Sequence, residues 1–330
     1  MSDSVVVRAS PSFALAKYWG KADREANLPA TPSIAITIDS LWSQATVTLA
    51  DASDGAGVDL VTVDGSAVPA ARVSPFLIAL RKELPELRGV LHVAATGNFP
   101  QAAGLASSAS LFAAVAFGAA SLVGRADDLQ RVSRIARVGS ASAARAVFGG
   151  FSSLLAGAEA AQAELNADHW PQLRLLVAIV DTSAKPVPSR DAMERVAATS
   201  PYYDAWVRDA AATYREIRDA LYARDLDRLG EHMRLSYLRM FGTMLSAAPP
   251  INYLRPGSVA VLHALQQLRD DGIAAWETMD AGPQVKVLST ATDLPRVRAA
   301  LVASGIPGDR LIEAAAGDGP WLVAGEPPPS

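Results

Sequence analysis

The sequence predicts a two-domain protein of the α+β class. The chain has 330 residues, the length of one large domain or two medium ones. Half of them are hydrophobic, enough for sizeable cores. Strand and helix patterns are mixed in both halves, with no low-complexity linker and no internal repeat. The boundary is expected within Ala161–Asp168, giving domains of residues 1–168 and 169–330.

The first half opens with strands. Val5–Arg8 reads as one, and Ile34–Ile38 and Ala45–Leu49 alternate with the period of half-buried strands. Val58–Val63 and Val68–Val73 flank Asp64-Gly65, the chemistry of a tight hairpin, although Pro69 argues against a ladder position in the second. Ser74 and Pro75 read as the cap and first position of a helix over Ser74–Glu83, and Leu91–Ala95 as another strand. Three helices follow: Ser107–Leu122, apolar on nearly every side and hence buried, the amphipathic Asp127–Val138, and Ala141–Val147, closed by Gly149-Gly150. In the second half Leu175–Val180 is a continuous apolar run, as in a central strand. Ser200–Ala223, Asp225–Met244 and Pro256–Asp271 read as helices. Ala274–Met279 and Val285–Leu288 read as strands flanking Asp280-Ala281-Gly282-Pro283. Asp293–Ser304 is a last helix and Trp321–Ala324 a last strand, before the Pro-rich tail Glu326–Ser330.

Composition narrows the function. Charged residues make up 19% of the chain and the net charge is −4, unlike the basic excess of a dedicated nucleic-acid binder. With no cysteine, disulfides, thiolate metal sites and cysteine nucleophiles are excluded. No basic segment leads into an apolar run near Met1, and the longest apolar stretch, Leu111–Val123, is too short to span a bilayer. The expectation is a cytoplasmic protein with neither a membrane nor a nucleic-acid partner. His92, His169, His232 and His263 lack metal-ligand spacing and read as structural, and no Gly-x-Ser-x-Gly elbow is present.

Four segments could carry chemistry. Pro100 through Ala109 runs a Gly- and Ser-containing turn, with Gly104, Ala106, Ser107 and Ser108, directly into a buried helix. Free N–H groups and the helix dipole make such a start an anion site, and an ordinary capped helix would read the same. Gly139-Ser140-Ala141-Ser142-Ala143-Ala144-Arg145 offers two hydroxyls and a guanidinium, with Ser140 a candidate cap for the helix bearing Arg145; a solvated arginine is the blander reading. In Lys17-Tyr18-Trp19-Gly20-Lys21 the two lysines and Trp19 share one face if the segment is extended, as they also would on a surface strand. Lys185, Ser189 and Arg190 form a basic, Pro-punctuated loop. Asp280 sits on a tight turn between apolar strands, where it either bonds its own backbone or, if partly buried, needs a partner or a task.

Together and in order, these motifs resemble mevalonate diphosphate decarboxylases of the GHMP kinase superfamily. Lys17 to Lys21 resembles the family's lysine-rich N-terminal motif, and Asn98 through Ala109 its ATP-binding motif. Gly139 through Gly150 is similar to its substrate motif, and His169 through Arg174 to its lead into the central strand. Ser189 through Met193 resembles the Ser-Arg loop of bacterial members, and Pro249 through Leu254 and Met279 through Pro283 its C-terminal motifs. The likeness spans residues 8 to 290, roughly.

The resemblance implies a GHMP-type fold: a ribosomal-protein-like N-terminal domain, a ferredoxin-like C-terminal domain, and the active site in the cleft between them. It implies ATP and Mg2+ as cofactors, a phosphorylated mevalonate as substrate, and a homodimer. Asp280 would be the catalytic carboxylate facing the substrate's 3-hydroxyl, with Lys17 beside it and Arg145 on the substrate carboxylate. Tyr18, Lys21, Ser140, Ser142, Ser189 and Arg190 would bind the substrate and its diphosphate. Gly104, Ala106, Ser107, Ser108 and Lys185 would contact ATP, with Ser107 touching the nucleotide's magnesium. The pattern departs from the family at Ser12 (asparagine there), at Thr31-Pro32-Ser33 (Asn-Ser-Ser or similar) and at Leu235 through Arg239 (a polar run). These departures bear on the substrate. Alternatives are a mevalonate 5-phosphate decarboxylase giving isopentenyl phosphate, a mevalonate-type 3-kinase and a non-catalytic ligand-binding relative.

Overall fold

The computed structural model describes residues 3–50, 58–99, 107–183 and 185–324. The first half runs β1 (Asp3–Ala9), β2 (Ser12–Ala16), β3 (Lys21–Asp23), β4 (Leu28–Pro29), β5 (Ser33–Thr37), β6 (Ser43–Ala50), β7 (Leu60–Val63), β8 (Ser66–Ala67), α1 (Ala70–Glu83), β9 (Val90–Gly97), α2 (Ser107–Leu122), α3 (Leu129–Gly139), α4 (Ala143–Ala146), β10 (Phe151–Leu154) and β11 (Gln162–Leu165). The second runs β12 (Leu173–Ala178), α5 (Ser189–Thr199), α6 (Tyr203–Ala223), α7 (Leu226–Leu245), α8 (Pro256–Asp270), β13 (Ala275–Met279), β14 (Val285–Thr290), α9 (Leu294–Ala303), β15 (Leu311–Ala314) and β16 (Trp321–Leu322).

Three sheets, besides the two-stranded β3-β4 ribbon, organise these elements. The first has the order β16-β1-β6-β9-β7-β8, antiparallel except where β7 runs parallel to β9. Its inner face packs on α1, α2 and α3 through Val7, Val47, Leu80, Ala113 and Ile135. The second, β11-β10-β5-β2, and the third, β13-β14-β12-β15, are antiparallel throughout. The α6–α7 pair serves both cores: Ile217 and Met233 pack with Phe13, Ile36 and Phe151, while Tyr237 and Met244 pack with Val285 and Val287. Close packing is built in at Gly230 of α7, where an added Cβ would stand 1.9 Å from the Trp276 ring on β13. Beyond β15 the chain crosses back: Ala316 bridges Ile38, and β16 pairs with β1.

The sequence reading needs four corrections here. Val68–Val73 is not a strand: β8 is short, and α1 starts at Ala70, straight after Pro69, where two alanines favour helix. Ser74 is therefore inside α1, donating to the Ala70 carbonyl at 2.7 Å, and Pro75 is within the helix rather than at its start. Ser140 caps the end of α3, not the start of α4. Ser189 and Arg190 form the first turn of a helix, α5, not a loop. Strands β2 and β10 escaped notice because they are short and carry no β-branched residue, unlike the equally buried β5. The Leu175–Val180 run is β12, interior to its sheet between β14 and β15. Among the described residues no helix is long and apolar enough to cross a membrane.

Candidate active site

The turn from β13 to β14 carries Asp280, and its carboxylate reaches away from its own turn. Oδ1 accepts from Lys17 Nζ at 2.7 Å, and Oδ2 accepts from Lys286 Nζ. Lys17 leaves the end of β2, where its Nζ also donates to the Ala14 carbonyl at 2.8 Å and its backbone N–H donates to Ser236 Oγ on α7 at 2.9 Å. Lys286 rises from β14 with its ammonium 4.5 Å from the centroid of the Phe13 ring. Both lysines are 2% exposed, whereas the Asp280 side chain keeps 36% of its exposure. Burial works against the charge on Asp280, but the two ammonium groups outweigh it and hold the carboxyl well below the ordinary range. Burial pushes Lys17 down to about 8 against the pull of Asp280.

The segment from Lys17 to Lys21 is not the surface strand considered above. Lys17 and Trp19 are buried, and Gly20 turns the chain with φ +100. An added Cβ there would stand 2.0 Å from the Tyr203 hydroxyl, so only glycine lets α6 close on this loop. Trp206 of α6 donates through Nε1 to the Trp19 carbonyl at 3.0 Å. Trp19 and Gly20, between Tyr18 and Lys21, are thus held from the second half of the chain. The Tyr18 hydroxyl is buried without a partner among the described residues, and burial pushes its pKa up to about 12, so it stays a donor.

Asp280 opens into a cavity of about 350 Å³. Of the residues the motifs nominate, its wall holds Tyr18, Ser107, Ser108, Ser140, Ser142, Arg145, Lys185, Ser189 and Asp280 itself. Lys17 supports Asp280 from behind the wall. Lys21 and Arg190 are also off the wall, although the charge of Arg190 acts on both Tyr18 and Lys21. Gly104 and Ala106 lie outside the described residues. Arg145 is 2% exposed, donates through Nη1 to Ser33 Oγ, and has an Nε without a partner among the described residues. Burial pushes it down to about 10, and Asp280 partly offsets this. Ser140 and Ser142 share a hydrogen bond of 2.9 Å between their hydroxyls. Lys185 lies over the Asp280 turn, its Cε 3.4 Å from where a Cβ on Gly282 would be.

This arrangement suits a small, multiply charged anion. Cations and hydroxyl donors from β2, α2, α4 and α5 converge on one volume, and buried donors await acceptors. Ser107 and Ser108 begin α2, where the dipole favours phosphate. Among the described residues no three His, Cys, Asp or Glu side chains gather to hold a metal. The donor set fits a magnesium ion brought by phosphates and sharing a hydroxyl oxygen such as that of Ser107.

Three participants escaped the sequence reading. Lys286 was legible in principle, since a lysine inside the apolar strand Val285-Lys286-Val287-Leu288 is an anomaly that demands a partner. Ser236, within one departure from the family pattern, anchors the Lys17 backbone. Arg72 of α1 reaches the cavity wall from a helix that no motif flagged. Two further departures also sit at the site. Ser12 donates to the Ser142 carbonyl at 3.3 Å, and Ser33 receives Arg145.

Comparison with known proteins gives the family. Residues 9–165 match the diphosphomevalonate decarboxylase-like N-terminal domain, and residues 175–317 match the mevalonate 5-diphosphate decarboxylase C-terminal domain. The diphosphomevalonate decarboxylase of Candida albicans is 31% identical, covering 86% of this chain and 83% of that protein. The Saccharomyces cerevisiae enzyme of the same name is 32% identical over 84% of this chain and 75% of its own. A solved structure of MDDEF in complex with MVAPP, AMPPCP and magnesium superposes with a TM-score of 0.89 at 35% identity, covering 98% of this chain and 99% of the other. The mevalonate diphosphate decarboxylase of Staphylococcus aureus gives a TM-score of 0.88 at 30% identity, with 98% of each chain covered. With both halves matched and the two-domain α+β fold of the GHMP kinase type in place, the chain belongs to the diphosphomevalonate decarboxylase family.

Proposed function

We propose that this protein converts mevalonate 5-diphosphate to isopentenyl diphosphate, consuming ATP and releasing ADP, phosphate and carbon dioxide. The observation that carries the reading is the meeting of Asp280 with Arg145 and with the Ser107-Ser108 helix start around one cavity. Asp280 orients the tertiary 3-hydroxyl toward the terminal phosphoryl group of ATP. The hydroxyl oxygen bonds to that phosphorus as the P–O bond to ADP breaks, and its proton is released to solvent and recovered by the phosphate that later leaves. A carboxylate held below its ordinary range is a weaker base than a free one, so alignment is the main contribution of Asp280. Arg145 grips the substrate carboxylate until carbon dioxide departs. Once phosphorylated, the hydroxyl oxygen leaves as phosphate, the carboxylate's C–C bonding pair becomes the new double bond, and carbon dioxide is released.

The α2 N-terminus, Ser107, Ser108 and Lys185 receive the nucleotide phosphates, and Gly104 and Ala106 belong to the same motif. Ser107 would hold the nucleotide's magnesium, which when bound would add positive charge beside the phosphates. Tyr18, Lys21, Ser140, Ser142, Ser189 and Arg190 hold the diphosphate arm. The cations around Tyr18 favour a diphosphate over a single phosphate. The reading includes a division into domains at residue 168, a cytoplasmic location and a homodimer, the last testable by sedimentation equilibrium.

The decisive assay offers mevalonate, mevalonate 5-phosphate and mevalonate 5-diphosphate with ATP and magnesium, measuring ADP and carbon dioxide together. Equal amounts of both products from the diphosphate alone are expected. ADP without carbon dioxide would make the protein a kinase, and neither product alongside tight binding would make it a binding module.

A further inference from the structure

We propose that Lys286 is a positioning residue for the reaction: with Lys17 it clamps both oxygens of Asp280, fixing the carboxylate's rotation and its charge. This rests on the role given to Asp280 above. A single lysine would hold one oxygen and leave the carboxyl free to rotate about its last bond. Two lysines arriving from different sheets remove that freedom. Lys17 comes from the end of β2 onto Oδ1, and Lys286 from β14 onto Oδ2. The remaining lone pairs of both oxygens are left for the substrate side, where Asp280 retains its exposure.

The placement of Lys286 is built. It is 2% exposed, it stacks over Phe13 of β2, and it sits opposite Thr278 in the β13–β14 ladder. An ammonium buried this completely is costly unless an anion answers it, and its hydrogen-bonded carboxylate partner is Asp280. The other charged groups acting on Asp280 are Lys17, Arg145 of α4 and Lys185 from the segment before α5. Arg145 and Lys185 act at longer range, so neither replaces the contact on Oδ2.

The test compares Lys286→Met with the parent, in the wild-type and the Asp280→Asn backgrounds. In the wild-type background kcat is expected to fall about ten- to hundred-fold, the cost of a misaligned reacting group, while the KM for substrate and the affinity for a non-hydrolysable ATP analogue stay unchanged. The acid limb of kcat is expected to move to higher pH, because one of the two ammonium groups holding the carboxyl down is gone. In the Asp280→Asn background, followed by single turnover, Lys286→Met is expected to have no further effect. An unchanged kcat and pH profile would overturn the proposal. So would an equal loss in both backgrounds, the signature of general damage to the fold. If Asp280→Asn itself keeps the parent rate, the role of Asp280 falls first, and that result is separate from either outcome for Lys286.

Discussion

Glu277 and Asp280 lie three residues apart on one strand and its turn, and the protein treats them in opposite ways. Glu277 is 1% exposed and satisfied on every side. Its Oε1 accepts from Arg234 Nε at 2.7 Å and from the Tyr237 hydroxyl at 3.1 Å, and its Oε2 accepts from Arg269 Nη1 at 2.7 Å. Asp280 has one ammonium per oxygen and a face left open to a cavity. Glu277 is closed in by planar guanidinium groups. The partners of Asp280 are lysines, and burial pushes one of them, Lys17, down to about 8. A buried carboxylate is thus no sign of chemistry by itself; unused lone pairs facing a cavity are.

The sharpest way to break this contrast is to neutralise each carboxylate in turn. Asp280→Asn is expected to lower kcat by about 10²–10⁴-fold, the range for losing a positioned polar group at the reacting centre. The melting curve and ATP-analogue affinity should stay close to the parent's. A near-normal rate would remove Asp280 from the chemistry. Glu277→Gln should do the reverse. It leaves the Arg269 guanidinium, whose side chain is 9% exposed, without its counter-ion, and removing one partner of a buried pair costs about 3–5 kcal/mol. Urea unfolding should show that loss, with kcat of the folded protein unchanged; a large fall in kcat would mean that Glu277 also serves the site.

A smaller effect separates groups in the cavity from groups at its edge. Arg190 is exposed at the start of α5, where its charge acts on Tyr18 and Lys21. Arg190→Ala is expected to raise KM for the diphosphate about ten-fold or more with kcat little changed, on a charge-assisted contact worth ~1.5–3 kcal/mol. An unchanged KM would mean that the first turn of α5 does not reach the substrate.

Much of this was legible in the sequence, and what was missed follows a pattern. Local motifs gave residues that line the cavity, because Ser107-Ser108, Arg145 and Asp280 each sit on a turn or helix start with its own chemistry. What sequence could not supply was the support that comes from far along the chain. Lys286, Ser236 and Trp206 act on Asp280, Lys17 and Trp19 across sheet and helix boundaries, and only tertiary packing brings them together. Strands β2 and β10 failed for a local reason: β5 is just as buried but carries Ile34, Ile36 and Thr37, whereas β2 and β10 have no β-branched residue to mark them.

The last prediction uses pH, because it separates lysine partners from arginine partners without a mutation. Burial pushes Lys17 from 10.5 down to about 8. If the ammonium form holds Asp280 in place, kcat should be level below that value and fall as pH rises through it, approaching ten-fold per unit. Folding should respond with the opposite sign. Between about 8 and 10.5 the unfolded chain binds this proton more tightly than the folded one, so the contribution of Lys17 to stability improves as pH rises across that window. Lys17→Met should be slow at every pH, lack the basic limb of kcat, and lose the rising part of the stability curve. A basic limb that survives Lys17→Met belongs to another group, and Lys17 would then be a packing residue with no hold on the rate.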